Sequence, residues 1–196
     1  MLFPLEFRFK LIALASQIFV RDANGSLVAY VRQKLLKLKE DVIVYGDEDG
    51  TRPLYRIRAD RIIDIGARYE ITDAGSGMPL GSVRQRGLRS FWRAQYEVEK
   101  GGQAAYTVHE ESVWVRVLDS LFGELPIVGA LTGYVFHAAY RVTSTSSGRD
   151  VLRLVKRPAL FEGRFELESL SPLDEEDERL LVLACMMILL LERNRS

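Results

Sequence analysis

Twelve consecutive apolar residues, Leu180–Leu191, run close to the C-terminus without a polar face, and any fold of this chain has to bury them on every side. A helix that is hydrophobic all round sits in a protein core or in a bilayer. At about 1.5 Å per residue the run is roughly 18 Å long, short of the ~20 residues that a membrane span requires. It therefore reads as a buried protein helix, and no transmembrane span is expected. Ser171 as N-cap, Pro172 at the first helical position and Asp174 at the third place the helix over 172–193. The acidic residues Asp174–Asp177 at its start and Arg193 and Arg195 at its end complement the helix dipole.

What could enclose such a helix is set by the preceding sequence. Turn signals recur at Asp22-Ala-Asn-Gly25, Asp47-Glu-Asp-Gly50, Asp73-Ala-Gly-Ser-Gly77 and Glu99-Lys-Gly-Gly102, a step that suits one β-hairpin plus its connection. Segments rich in β-branched and aromatic residues lie between them, among them Gln17–Arg21, Leu27–Arg32, Val42–Tyr45, Leu54–Ile57 and Tyr69–Ile71. A β-meander over residues 5–109 follows. Residues 110–132 break it: Trp114, Val117, Leu118, Leu121 and Phe122 have helical spacing, although Val113, Val115 and Val117 also alternate. A helix and the apolar loop Leu125–Leu131 are expected there. Strands resume over 133–168, bringing the count to about twelve.

That count fits the terminal helix. Closed barrels of about eleven strands enclose a helix, whose diameter with side chains is about 10–12 Å. Strands of about seven residues tilted by about 40° give a barrel roughly 18 Å high, matching the apolar run. The expected fold is mainly β with one central helix (α+β): a closed, roughly 12-stranded antiparallel β-barrel around a buried hydrophobic C-terminal helix, with residues 1–196 forming one domain.

Composition narrows the function classes. Lys and Arg number 27 and Asp and Glu also 27, so no global field is available to hold nucleic acid. The single cysteine, Cys185, falls inside the apolar helix, where it serves as a small hydrophobe and not as part of a disulfide or metal framework. Asp47-Glu-Asp-Gly50 opens like an EF-hand loop, but the twelfth position is Arg58, not the bidentate Glu that loop requires. It reads as a turn. His109 and His137 are not spaced for a metal, and the sequence contains no nucleophile elbow, Walker loop, CxxC or dinucleotide fingerprint. No catalytic residue, metal or cofactor is assigned. At the N-terminus, Glu6, Arg8 and Lys10 alternate with Leu5, Phe7, Phe9 and Leu11, the pattern of a half-buried strand and not of a signal peptide; a cytoplasmic protein is expected.

The meander with its Asp-x-x-Gly turns, followed by Tyr134-Val-Phe-His-Ala-Ala-Tyr140, Lys156-Arg-Pro-Ala-Leu-Phe161, Arg164-Phe-Glu-Leu167 and an apolar helix closing in Leu-Glu-Arg, resembles the tubby-like superfamily. Within it the likeness is to the LURP-one-related and phospholipid scramblase-like proteins, and it covers nearly the whole chain. The resemblance implies a twelve-stranded barrel around a hydrophobic C-terminal helix. It also implies lipid chemistry, since tubby-type members bind phosphoinositide headgroups through basic residues. The chain lacks the scramblases' cysteine-rich stretch, and Glu166–Asp177 does not reproduce their calcium motif.

Independently of that likeness, if the Asp/Gly turns share one barrel rim, the alternate connections share the other, and those are basic. Lys34, Lys37 and Lys39 belong to the first, Arg56, Arg58 and Arg61 to the second, and Arg84, Arg86, Arg89 and Arg93 to the third. Such a cluster can receive phosphorylated headgroups or an anionic leaflet, with Phe91 and Trp92 at the interface; equally, the same residues can serve to solubilise and blunt strand ends. Two functional readings follow. One is a non-enzymatic lipid- or phosphoinositide-binding, membrane-tethering module, peripheral at the membrane. The alternative is a soluble protein-interaction scaffold, using the loop Leu125–Leu131, with no lipid ligand.

Overall fold

The computed structural model describes residues 1–12, 15–34, 41–61, 66–86, 95–111, 139–159 and 163–193, the side chains of 11, 12, 15, 16, 33, 34 and 193 aside. Twelve antiparallel strands form a closed barrel in which each strand pairs with its neighbours in sequence and β1 pairs with β12. They are β1 Leu5–Ile12, β2 Ala15–Arg21, β3 Leu27–Lys34, β4 Asp41–Tyr45, β5 Pro53–Ala59, β6 Arg68–Asp73, β7 Pro79–Gln85, β8 Gln95–Lys100, β9 Gln103–Glu110, β10 Ala139–Ser144, β11 Asp150–Arg157 and β12 Gly163–Ser169. One helix, α1 Glu175–Arg193, follows β12.

Period-2 alternation builds the wall. Leu5, Phe7, Phe9, Ile18, Val20, Val42, Val44, Ile57, Ile71, Val83, Val98, Val108, Val142, Leu152, Leu154 and Leu167 are buried on its inner side together with α1. From Leu180 to Leu190 no residue of α1 is more than 3% exposed, so the apolar run is the axis of the core. At roughly 1.5–3 kcal/mol for each large aliphatic side chain buried, the run contributes heavily to a core whose other half is the inner face of the strands.

The helix comes closest to the wall at β7, where Gly81 makes room for it. A Cβ on that residue would stand 2.4 Å from the Glu99 carbonyl oxygen and 2.8 Å from Leu180 Cδ1, so only glycine permits the approach. Polar anchors fix both ends. Asp177 in the first turn receives hydrogen bonds from Lys100 Nζ at 2.6 Å and from the Tyr106 hydroxyl. At the far end Tyr96 donates to Glu192.

The helix begins three residues later than the sequence suggests. Asp174 is the N-cap, its carboxylate accepting the Asp177 N–H at 2.7 Å, whereas the Ser171 hydroxyl donates to the Asp150 carbonyl at 3.2 Å and ties the linker to β11. Two overlapping cap frames exist in Ser-Pro-Leu-Asp-Glu-Glu-Asp, and the strand contact of Ser171 selects the second. The acidic first turn is Glu175–Glu178, one residue on from the expected Asp174–Asp177, because Asp174 serves as the cap.

The Asp/Gly turns all lie on one rim, as an up-and-down barrel requires. Asp47 accepts the Thr51 and Arg52 N–H groups at 2.8 and 2.7 Å and the Thr51 hydroxyl, so its carboxylate closes the β4–β5 turn from within. At Asp73 an Asx turn, the carboxylate accepting the Gly75 and Ser76 N–H groups, closes the β6–β7 turn, where Gly77 has φ of 72°. Residues 112–138, on which the expected helix and apolar loop fall, lie outside the described residues.

Candidate functional site

Outward-facing positions of the barrel carry the charge. Among the described residues, ion pairs cross the strands on the outer wall, and the larger groups are on two stretches of it. On β10–β12 Glu111 is bound by Arg141 and Arg153 at 2.9 and 2.8 Å; Arg141 also reaches Asp150 at 2.6 Å, and Arg157 bridges Glu166 and Glu168. On β6–β8 Glu97 and Glu99 face outward yet are buried beneath Arg68, Arg84 and Arg86. Such pairs neutralise one another, and what a diffusing anion meets is the cation left over.

The sequence-derived candidates divide on this criterion. Arg84 and Arg86 sit 3.4 and 2.6 Å from Glu97. Arg61 pairs with Asp60 at 3.1 Å, and Arg56 holds Asp41 through two contacts of 2.7 and 2.5 Å. Arg58 is exposed and makes neither an ion pair nor a hydrogen bond with a described residue. Lys34 ends β3, its side chain not described; Lys37, Lys39, Arg89 and Arg93, with Phe91 and Trp92, lie outside the described residues. Arg56, Arg58 and Arg84 belong to strands and not to connections, so they stand on the outer wall.

Arg58 lines a groove of about 370 Å³ on the outside of β4–β6, together with Ile43, Pro53, Arg56, Glu70, Thr72, Asp73, Ala74 and Gly77. Register places these side chains together. Asp41 lies opposite Arg58 and Ile43 opposite Arg56 across β4 and β5, while Arg58 lies opposite Glu70 and Arg56 opposite Thr72 across β5 and β6. The two-residue repeat therefore sets Arg56 and Arg58 of β5 on the outer face beside Glu70 and Thr72 of β6. The hydrogen bond from Arg56, aided by the charge of Arg58, holds the Asp41 carboxyl below its ordinary range, and the same contact raises Arg56. Asp41 is thus an ionised partner already engaged by Arg56.

Asp73 too is engaged, by its own turn, and the hydrogen-bond interaction with Ser76 lowers its pKa. The groove's uncommitted charges are Arg58 and Glu70. Glu70, Thr72 and Ile43 were not among the candidates from sequence, because alternation shows which residues face outward but not which strand positions stand side by side. Chemically, the groove offers one planar guanidinium suited to a phosphate or carboxylate, with a second guanidinium beside it. Among the described residues no group of three or more His, Cys, Asp or Glu side chains is placed to hold a metal, and no helix is long and apolar enough to cross a membrane. His109 lies outward on β9 opposite Arg141, and His137 is outside the described residues.

Comparison with known proteins gives two positive findings. A family model described as LURP-one-related matches residues 27–189. The X-ray structure of a protein from Arabidopsis thaliana is similar in fold, with a TM-score of 0.51 at 14% identity over 95% of this chain and 90% of that one. No curated protein matches the sequence.

Proposed function

This chain belongs to the LURP-one-related family, and from that premise we propose that it is a non-enzymatic module that binds the phosphate of lipid headgroups, phosphoinositides among them, and tethers itself peripherally to a cytoplasmic membrane surface. One observation carries the reading: of the candidate cations whose side chains are described, Arg58 alone lacks a carboxylate partner, and it lines a groove. A volume of about 370 Å³ is at the small end of ligand sites and suits a headgroup.

The carbon chain of such a lipid would stay in the bilayer while its phosphate met Arg58 and, beside it, Arg56. Association would be salt-sensitive, because few cations act and they are exposed. The test is co-sedimentation with vesicles of phosphatidylcholine doped with phosphatidylinositol 4,5-bisphosphate or another anionic phospholipid, for wild type and Arg58→Glu. Binding at low salt that Arg58→Glu abolishes supports the reading, and wild-type protein remaining in the supernatant with every composition refutes it.

A further inference from the structure

We infer that the β4–β6 groove selects a phosphate ester that carries a primary ammonium group, of the ethanolamine-phosphate type, over a plain anion; this rests on the headgroup-binding reading above. Arg58 and Glu70 face each other directly across β5 and β6. Opposed positions in an antiparallel pair bring Cβ atoms about 4.5–5.5 Å apart, and opposite charges there ordinarily pair. These two are both exposed and form no ion pair with each other or with another described residue. The charge of Arg58 is felt instead on the other side, at Asp41.

A cation and an anion held side by side without contact match a zwitterion, whose two charges are likewise kept apart by a short carbon linker. The phosphate lies against Arg58, and the ammonium against Glu70. Thr72 strengthens the second half. Its hydroxyl donates to the Arg56 carbonyl at 3.3 Å, so what it turns toward the groove is an acceptor oxygen, which an ammonium can use and a phosphate oxygen cannot. Asp41 and Asp73, the other carboxylates near the groove, are engaged by Arg56 and by Ser76. A purely anionic ligand would have to settle Arg58 at the expense of lying against Glu70.

The experiment uses the full chain and three vesicle compositions: phosphatidylcholine alone, with phosphatidylethanolamine, and with phosphatidylglycerol. Phosphatidylglycerol has the net negative charge that non-specific attraction favours but no ammonium, and choline cannot donate a hydrogen bond. Wild type should bind the ethanolamine vesicles about tenfold more tightly than the glycerol ones, the worth of about one charge-assisted hydrogen bond. Glu70→Gln should lose that preference by binding ethanolamine vesicles less tightly and glycerol vesicles more tightly, since the charge that opposes an anion is gone, and Arg58→Glu should bind neither. Glycerol vesicles bound as well as ethanolamine ones by wild type, or a preference that survives Glu70→Gln, would overturn the inference and leave headgroup binding standing. Free phosphoethanolamine, set against glycerol phosphate, separates the sources. Preference for the free amine ester without vesicle binding supports the site as one for a soluble ligand, and binding of neither ester nor vesicle sinks both readings.

Discussion

Lys100 Nζ lies 2.6 Å from Asp177 Oδ1, on the inner side of β8 beside the first turn of the axial helix. The contact joins wall to axis, and the Tyr106 hydroxyl adds a second bond to the same carboxylate. It has a pH signature. The bond to Asp177 raises the Lys100 pKa, while burial, followed by the Asp177 contact, raises that of Tyr106. Above about pH 10 the unfolded chain releases protons from such groups that the folded chain keeps, so stability present below that pH falls as pH rises further. Tyr30, raised by burial, adds to the same limb. Asp177→Asn should lower the denaturation midpoint at pH 8 and flatten the decline above pH 10. Urea midpoints collected from pH 8 to 11 would show this, and an equally steep decline in the variant would remove the Asp177 contacts as its source.

Gly81 makes a second prediction. A methyl group there meets a backbone carbonyl and Leu180 at distances no unshifted Cβ tolerates. Gly81→Ala should therefore cost about 1–3 kcal/mol, as overpacking of a well-filled core does, although alanine is otherwise the milder residue in a strand. Chemical denaturation measures the loss. If the strain comes from the helix side, Leu180→Ala in the same chain should recover part of it, so the double variant is less destabilised than the sum of the singles.

The axial helix itself supplies a third. Leu183 and Met187 are at most 2% exposed, and a charge at either has no partner within the apolar run. Leu183→Lys or Met187→Glu should cost several kcal/mol, comparable with the whole stability of a domain of this size, and give insoluble or unfolded protein. Leu183→Met, which conserves volume, should cost less than about 1.5 kcal/mol. Circular dichroism of soluble protein decides the matter: a folded Leu183→Lys would contradict an axial position for the helix.

The barrel and its axis were legible because both rest on patterns that survive without register: twelve apolar residues in a row, and turns repeated at one spacing. The strand β7 is less visible in that reading, since Pro79, Gly81 and Ser82 weaken its propensity, and Gly81 answers to the Glu99 carbonyl of β8 and to Leu180 of the helix, neither of which is its neighbour in sequence. The helix start was misplaced because Ser171 and Asp174 are both good caps, and only the carbonyl of Asp150, a strand away, chooses between them. The candidate cations were visible as a basic set. Which of them are spent was not, because Glu97 becomes the partner of Arg84 and Arg86 only when β8 lies beside β7. Glu70 entered the site for the same reason, through its register with Arg58.

That division among the arginines yields the last prediction. Glu97 is 3% exposed and depends on Arg84 and Arg86 for compensation. Replacing both by Glu would leave a buried carboxylate facing two more, so the double variant should lose roughly 1–3 kcal/mol. The arginines themselves are well exposed and screened, so that loss reflects the stranded Glu97 more than the pairs. Arg58→Glu strands no buried group; its new charge stands opposite Asp41 and Glu70, but all three are well exposed, so the cost should stay below about 1 kcal/mol. Vesicle binding should behave in the opposite way: lost in Arg58→Glu, and retained in Arg84→Gln/Arg86→Gln at a temperature where that milder variant is still folded. Thermal melts and co-sedimentation on the same samples read both quantities. A stable Arg84→Glu/Arg86→Glu protein that alone fails to bind would move the ligand from the β4–β6 groove to the Arg84–Arg86 side of the barrel.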